Sequence, residues 1–362
     1  MTGSVTGPAS GPVGWAVVGS SEFALDYVVP AIRSQTGSVV RAIVSRDPAR
    51  VRARLNGNSD GEIAVTADLD DLPGLGADVV HLVVPNQLHR PLTLRCLALG
   101  RHVLVEKPMA LSVAEAEEMA TAATAAGLLL AVGSCMAWSP AVTRAGDLLR
   151  AGVLGEARHA GLAAGFDTGD QRGWRQLTST AGGGGVLNDL GAHAIDAAIR
   201  LFGPIGEVSA RLRTTLPRHE SDDTASLMLG HVTGVTSHLE LAFTHGCNQL
   251  SVTGTEGRLA SAEWLGRRFA GDLVRHPDQA DASRFGEVAD GAVDELAGAP
   301  VTDVLARQAA EVATAIQAGQ TPEHADVPTA LQVMAVIHAA IRSSERQRMV
   351  SLDHDVAHDL SG

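Results

Sequence analysis

The chain has 362 residues, of which 45% are apolar and 19% charged, so it is long enough for two domains with substantial cores and is not globally disordered. Its formal net charge of −13, without a cluster of lysine or arginine, argues against nucleic acids and anionic membrane surfaces as partners. No apolar run reaches transmembrane length. Residues 1–12 have neither a basic start nor an apolar core, so we predict a flexible tail and not a signal peptide.

The three cysteines, Cys96, Cys135 and Cys247, are widely spaced and form no Cys-x-x-Cys pair. Cysteines in this pattern are typical of small buried apolar residues in a reducing compartment. We therefore predict a cytoplasmic protein without a metal site.

Residues 13–136 alternate short runs rich in β-branched residues with helix-like stretches. The predicted strands are Trp15–Val18, Val39–Val44, Val79–Val84, Val103–Val105 and Leu128–Val132, and the clearest helices are Pro91–Leu99 and Val113–Ala126. Ser112 and Glu115 have the spacing of a capping box at the start of the second helix. Strands buried on both faces and separated by helices predict an α/β domain with a parallel, doubly wound sheet.

After residue 136 the pattern changes to helices, a glycine-rich loop and alternating segments separated by turns, which is typical of an antiparallel sheet. In chain order we predict a helix over Trp138–Gly152, a strand over Arg158–Gly165, a loop over Phe166–Gly185, a helix over Val186–Phe202, several strands between Val208 and Leu259, loops with short strands over Phe269–Val301, and closing helices over Val304–Ala318 and Thr329–Arg342. These elements predict a second α/β domain over 137–352, followed by a C-terminal tail over 353–362.

The first predicted strand turns into a helix through Gly19-Ser20-Ser21-Glu22-Phe23-Ala24. A dinucleotide-binding turn reads G-x-G-x-x-G/A at this place, and Gly19 and Ala24 match its first and third positions. Ser21 replaces the second glycine, so a tight turn without a ligand is an alternative. Backbone N–H groups and serine hydroxyls at a helix N-terminus can still bind phosphate. We include Gly19, Ser20, Ser21 and Phe23 among the cofactor contacts.

The second strand ends in Ser45-Arg46, where an NAD-preferring site usually has an acidic residue. A hydroxyl and a guanidinium suit a 2′-phosphate better, so the sequence favours NADP(H), with NAD(H) as the alternative. Arg46 could also be a solvent-exposed residue without a ligand. Asp47 precedes Pro48 and is predicted to cap the next helix.

Two further strand ends lie at the same edge of the predicted sheet. Pro85 and Asn86 are predicted to form a turn beside the cofactor crevice, and His89 begins the next helix. We predict that all three residues contact the cofactor. For His89 the alternative is a structural role, which is more common for an isolated histidine. In Glu106-Lys107-Pro108 the proline ends the strand. Lys107 can therefore reach a ligand across the sheet edge, the alternative being a solvated surface lysine.

A second group of polar residues follows four glycines, Gly182–Gly185. Asp189 and His193 are four apart and would share one face of a helix, and Asp196 lies one turn further. A carboxylate beside a histidine is typical of a general acid/base, whereas the alternative is a surface ion pair. Trp174 and Arg175, in the preceding loop, are predicted to stack on and hydrogen-bond a ligand, or else to anchor the loop.

Together these residues resemble the glucose–fructose oxidoreductase/inositol dehydrogenase/MocA (Gfo/Idh/MocA) family. The matching motifs, in the family's order, are Gly19…Ala24, Pro85-Asn86-x-x-His89, Glu106-Lys107-Pro108, Gly182–Gly185…Asp189…His193…Asp196 and Gly254-Thr-Glu-Gly257. Within the family, Gly173-Trp174-Arg175 and Ser45-Arg46 are most similar to 1,5-anhydrofructose reductases and related NADPH-dependent sugar ketoreductases.

The resemblance implies an N-terminal Rossmann domain and a C-terminal domain whose open, mostly antiparallel sheet makes a homodimer or homotetramer. It implies that Lys107, Asp189 and His193 are catalytic, that Glu106 and Lys107 also contact the cofactor, and that the substrate is a small sugar-like molecule. Asn188 is polar where the family usually has an apolar residue, so it is a candidate substrate contact. We expect hydride transfer between a nicotinamide and a secondary alcohol or ketone. The alternatives are a ligand-sensing regulatory protein and NAD-assisted glycoside cleavage.

Overall fold

The computed structural model describes residues 11–55, 63–169, 176, 184–217, 219–266, 268–269, 273–276 and 299–352. The predicted terminal tails therefore fall almost wholly outside the described residues. The chain divides into two compact units, the first comprising Met1–Cys135 and Thr302–Leu331 and the second Met136–Val301 and Gln332–Gly362. No helix in the described ranges is long and apolar enough to cross a membrane.

The first unit contains a six-stranded parallel sheet in the order β3-β2-β1-β4-β5-β6. The strands are β1 (Val13–Val18), β2 (Ser38–Val44), β3 (Ala64–Thr66), β4 (Val79–Leu82), β5 (His102–Glu106) and β6 (Leu130–Gly133). This order is that of a dinucleotide-binding Rossmann sheet and confirms the predicted fold class. β3 is absent from the sequence prediction because it has only three residues, all half-buried.

Four helices connect these strands: α1 (Val29–Arg33, preceded by a π-helical turn over Ala24–Val28), α2 (Pro48–Leu55), α3 (His89–Ala98) and α4 (Val113–Ala126). Ser112 caps α4 as predicted, because its hydroxyl accepts from the Glu115 N–H at 3.1 Å. The Glu115 carboxylate accepts from the Leu111 N–H at 3.0 Å, one residue before the N-cap N–H that a standard capping box uses. α4 ends at Gly127, whose positive φ of 62° is typical of a glycine C-cap.

The division into units differs from the predicted single boundary near residue 136. The unit containing the first sheet also includes Thr302–Leu331, which covers most of helix α7 (Val301–Ala318) and the start of α8 (Val327–Arg346). The Val132 N–H of β6 donates to the Ala325 carbonyl at 3.1 Å. Sequence patterns mark a helix but not the sheet to which the chain returns, so this contact could not be predicted.

The second unit contains an eight-stranded sheet in the order β14-β12-β11-β7-β10-β9-β8-β16. Its strands are β7 (Ala157–Gly165), β8 (Ile205–Arg213), β9 (Thr224–His231), β10 (Thr236–Ala242), β11 (Cys247–Gly254), β12 (Gly257–Ser261), β14 (Val274–His276) and β16 (Val350–Ser351), while β13 (Arg268–Phe269) pairs with β15 (Ala299–Pro300). β8, β9 and β10 form the predicted antiparallel meander. β7 lies between β10, to which it is parallel, and β11, to which it is antiparallel.

Alternate residues of this sheet are buried on one face and accessible on the other. In β9 and β10 the buried side chains include Leu227, Leu229, Leu239 and Leu241. Helices α5 (Pro140–Arg150) and α6 (Ala192–Phe202) belong to this unit, and α6 contacts both α5 and β7. We call the opposite, accessible side the open face; it carries Met228, His238, Glu240 and Gln249.

Candidate active site

Two loops meet at the carboxyl edge of the first sheet, where β1 and β4 lie side by side. Gly19 follows β1 with a φ of 121°, and a Cβ atom built on it would lie 2.1 Å from the Val83 carbonyl oxygen. Only glycine allows this approach. The first position of the dinucleotide fingerprint is therefore required by packing against the next loop, at the point where such sheets bind their ligands.

Ser21 is accommodated at the second position of the fingerprint. Its hydroxyl accepts from the Ala24 N–H at 3.2 Å, so it caps the turn that follows. The backbone at Ser21 has no positive φ, because Gln347 is the only non-glycine residue with one in the described part of the chain. The absent glycine thus introduces no strain, and Ser21 adds a polar group at a helix N-terminus.

The two serines of the neighbouring loops contact each other. The Ser45 and Ser20 hydroxyl oxygens are 2.9 Å apart, and the Ser45 oxygen also accepts from the Asp47 N–H at 3.1 Å. Ser45 is buried. Its hydroxyl therefore ties the two turns together, and the exposed group at this strand end is Arg46.

Arg46 is exposed, and its guanidinium forms no hydrogen bond or ion pair among the residues that the structure describes. The adjacent Asp47 carboxylate accepts from the Arg50 N–H at 3.0 Å as the predicted cap of α2. The end of β2 thus presents the exposed guanidinium of Arg46, next to an acid that caps the following helix.

His89 is fully buried at the start of α3. Its Nδ1 lies 2.8 Å from the Pro108 carbonyl oxygen and its Nε2 3.0 Å from that of Val84. Burial lowers the pKa of His89, against the opposing effect of the two carbonyl groups. Both ring nitrogens face backbone carbonyl oxygens, so His89 joins the loops after β4 and β5, and its contact with a cofactor stays a prediction. Asn86 is likewise buried, whereas Pro85 is half-buried.

Lys107 is half-buried at the carboxyl end of β5, which disfavours a fully solvated lysine. The preceding carboxylate is held in place: Glu106 Oε1 lies 3.0 Å from Nε2 of the buried His81, on β4. A Cβ on Gly133 would lie 2.9 Å from the same oxygen, so β6 also leaves room for it. His81 is missing from the sequence prediction, although a histidine inside a buried apolar strand signals an unseen polar partner.

The predicted helix over Val186–Phe202 forms, but its first turn, Leu187–Gly191, is π-helical and only the rest, α6, is α-helical. Turns of this kind are frequent at functional sites. Asp189 is buried and His193 half-buried. Asn188 Nδ2 donates to the Gly184 carbonyl at 3.0 Å, whereas Asp196 forms a buried ion pair with Arg200 at 2.9 Å.

Asp222 anchors the start of this helix and is also missing from the sequence prediction. Its Oδ2 accepts from the Leu187 N–H at 2.8 Å. Gly185 has a φ of 101°, and a Cβ on it would lie 2.1 Å from Asp222 Oδ1. Burial raises the pKa of Asp222 to about 6. Gly185, the last of the four glycines, thus allows the approach of a half-buried carboxyl group. Gly182, Gly183, Trp174 and Arg175 lie outside the described residues.

A nicotinamide dinucleotide suits the residues of the first unit. The Gly19 turn offers backbone N–H groups at a helix N-terminus, Ser20 adds a hydroxyl, and Arg46 adds a cation at the end of β2. Lys107, at the same sheet edge, adds an ammonium group. The second unit, described by itself, carries the buried Asp189 carboxylate and the half-buried His193 imidazole on one helix. A Rossmann sheet with the groups of the first unit is typical of nicotinamide-dependent oxidoreductases.

Family comparisons agree with this class. The family described as "Oxidoreductase family, NAD-binding Rossmann fold" matches residues 13–134, and the Gfo/Idh/MocA C-terminal domain matches residues 142–260. The chain belongs to the Gfo/Idh/MocA family, and it is an oxidoreductase of the kind that acts on CH–OH and C=O groups.

Individual relatives are sugar oxidoreductases. The chain is 29% identical to 1,5-anhydro-D-fructose reductase of Ensifer adhaerens over 72% of this chain and 79% of that enzyme. It is 31% identical to dTDP-3,4-didehydro-2,6-dideoxy-alpha-D-glucose 3-reductase of Streptomyces antibioticus over 68% of this chain and 74% of the relative. The crystal structure of aldose-aldose oxidoreductase from Caulobacter crescentus aligns with a TM-score of 0.78 at 26% identity, covering 94% of this chain and 99% of that one.

The raised pKa of Asp222 makes the stability of the second unit depend on pH. The folded state holds its proton up to about pH 6, whereas the unfolded chain releases it near 3.8, so stability falls as pH rises between these values. We expect Asp222→Asn to remove this fall, which amounts to ~3 kcal/mol. An asparagine oxygen still accepts from the Leu187 N–H. The measurement is urea unfolding from pH 4 to pH 7.

The matched control is Asp222→Ala, which also lacks the titrating group but leaves the Leu187 N–H without its acceptor, so it should be ~1–3 kcal/mol less stable than Asp222→Asn at every pH. Parallel pH profiles for the wild type and Asp222→Asn would contradict the assignment.

Proposed function

We propose that the protein is an NADP(H)-dependent oxidoreductase that transfers hydride between the nicotinamide and a secondary alcohol or ketone of a small sugar, cyclitol or sugar-like metabolite. The half-buried Lys107, at the carboxyl end of β5 and next to the Glu106–His81 contact, carries this proposal. The names of the relatives, which include a 1,5-anhydro-D-fructose reductase and a dTDP-sugar 3-reductase, support the substrate class.

The bound nicotinamide would supply or accept the hydride. Reduction of a ketone leaves negative charge on its oxygen, which the Lys107 ammonium stabilises. The His193 imidazole donates a proton to that oxygen, or removes it in the reverse direction. The buried Asp189 orients the imidazole or a substrate hydroxyl, and Asn188 is positioned next to it in sequence as a further substrate contact.

Lys107 is the only lysine in the chain, whereas 27 of its 28 basic residues are arginines. An ammonium group is a compact charge on a flexible stem, and its pKa shifts readily, unlike that of a guanidinium. A chain that otherwise uses arginine throughout thus has a lysine where the proposed chemistry needs one. The same fact provides a probe, because amine-directed labels can modify only Lys107 and the N-terminal amine.

We expect Lys107→Ala to lower kcat for a reactive keto-sugar by about 10²–10³-fold, the cost of removing one oxyanion-stabilising donor. His193→Ala should lower kcat by about 10²–10⁴-fold and leave the Kd for NADPH within about twofold. Turnover is followed by NADPH oxidation, and cofactor binding by calorimetry.

Reductive ¹³C-methylation of the wild-type protein gives one side-chain amine signal, which should shift on NADPH addition and be absent from Lys107→Ala. Unchanged turnover in Lys107→Ala would overturn the proposal. Product formation without net NADPH oxidation would instead indicate glycoside cleavage, and cofactor binding without any turnover would indicate a regulatory protein.

The preference for NADP(H) over NAD(H) is supported by the exposed Arg46 at the end of β2. Hydrogen bonds to charged groups contribute about 1.5–3 kcal/mol, so we expect Arg46→Ala to weaken NADPH binding by roughly 10–100-fold. NADH binding should change by less than about twofold. Arg50→Ala, which removes an exposed arginine of the adjacent helix, is the control. Equal losses for both cofactors in Arg46→Ala would refute the preference.

We further propose that the open face of the second sheet joins copies of this chain into a homodimer or homotetramer. Met228 lies on this face and is 45% exposed. The three cysteines, all within the described residues, form no disulfide with one another, which supports a cytoplasmic location.

We expect Met228→Lys to convert the assembly to monomers in multi-angle light scattering, because it places a charge in an apolar contact. Val232→Lys changes an even more exposed apolar residue in the β9–β10 turn, outside the open face, and should leave the assembly intact. A monomeric wild-type protein would refute this interface.

A further inference from the structure

We propose that Glu240, His245 and Cys247 form a zinc site at one end of the open face of the second sheet. This inference is independent of the proposed reaction, because none of the three residues belongs to the candidate active site, although Glu240 lies on the face proposed to join copies of the chain. The sequence predicted no metal site, because the three cysteines are widely spaced and form no Cys-x-x-Cys pair. The proposed site differs because its ligands come from two strands of the sheet and the loop that joins them.

The register of the sheet brings the three residues together. Glu240 on β10 pairs with Ala163 of β7, and Cys247 on β11 pairs with Gly165 of the same strand. Because Ala163 and Gly165 are two apart, both rows lie on one face of the sheet. β7 separates β10 from β11, and its small residues leave a shallow trough that longer side chains on either side can bridge.

Gly165 is required for this arrangement. A Cβ built on it would lie 2.8 Å from Cys247 Sγ and 2.7 Å from the His245 carbonyl oxygen. A larger residue would therefore displace both the sulfur and the loop that carries the imidazole. The loop is short: β10 ends at Ala242 and β11 begins at Cys247.

The ligand atoms already lie near the distances that one ion needs. One carboxylate oxygen of Glu240, one ring nitrogen of His245 and Cys247 Sγ all lie within 4.8 Å of one another. His245 Nε2 is 3.7 Å from Glu240 Oε1. Zinc bonds of about 2.0–2.3 Å place neighbouring ligands roughly 3–4 Å apart, so small side-chain rotations complete the site.

A neighbouring hydroxyl orients the imidazole. Thr244 Oγ1 lies 3.0 Å from His245 Nδ1, on the side of the ring opposite the proposed ligand atom. Metal-binding histidines almost always have such a partner on their other nitrogen, which fixes the ring and its tautomer. Thr244 is therefore a positioning residue for this site.

The set of donors selects the metal. One thiolate, one imidazole and one carboxylate suit zinc, whereas Mg²⁺ and Ca²⁺ prefer oxygen ligands only. Three protein ligands leave a fourth position for water. Glu240 and His245 are exposed in the single chain, so the ion can bind before the open face joins another copy.

The test uses the full-length protein without an affinity tag, first stripped with a chelator. We expect one Zn²⁺ per chain by calorimetry and elemental analysis, and Co²⁺ should give a thiolate-to-cobalt charge-transfer band. A large excess of Mg²⁺ should not displace zinc. Cys247→Ser and His245→Gln should each weaken binding by about 100-fold, and Thr244→Val by about tenfold. Cys247→Ser should also abolish the band, whereas His245→Gln keeps the thiolate and should show the band only at higher Co²⁺ concentration.

Cys135→Ser and His238→Gln are the matched controls, because they remove a second accessible cysteine and another exposed histidine of the open face. Both should bind zinc like the wild type. The altered ligands are surface residues, and unchanged melting temperatures of the stripped variants would show that they fold. Absence of stoichiometric zinc in the wild type, or equal affinity in Cys247→Ser, would overturn the proposal.

Discussion

The close approach of Gly19 to the Val83 carbonyl is the contact on which the cofactor edge of the first sheet depends. It brings the loops after β1 and β4 together at the point where the strand order reverses, and such a point is where open α/β sheets bind ligands. All other groups assigned to this edge follow neighbouring strand ends. A side chain at residue 19 would push these two loops apart.

Buried polar residues hold the exposed ones in place on both units. The fully buried His89 joins the two loops that flank Lys107, and His81 fixes the carboxylate beside it. In the second unit Asp222 holds the first turn of the helix that carries Asp189. An unpaired buried polar group is costly, so each of these contacts restricts the backbone to one arrangement. The buried contacts therefore hold the neighbouring candidate site residues in position, although the buried residues are not themselves part of the site.

Local patterns predicted much of this molecule, and contacts between distant strands account for the rest. The capping signal at Ser112 and the apolar runs of β1 and β2 are encoded within a few residues, so helix α4 and these two strands were confirmed almost to their bounds. The insertion of β7 between β10 and β11 is not local. Likewise, His81 contacts Glu106 because β4 and β5 are neighbours in the sheet. The two residues are 25 apart in the sequence, so their contact could not be predicted from their spacing.

The single lysine, Lys107, distinguishes the candidate site from the other basic positions of the chain. Arginine replaces lysine at every other basic position, so the chain's surface charge and its ion pairs do not need an ammonium group. Arg54, Arg90 and Arg95 all pair with carboxylates through guanidinium groups on the surface. A guanidinium is planar, remains protonated and binds best to flat, bidentate acceptors. A single oxygen that gains and loses charge in a confined space favours a point charge, and Lys107 is the one residue of this chain that supplies it.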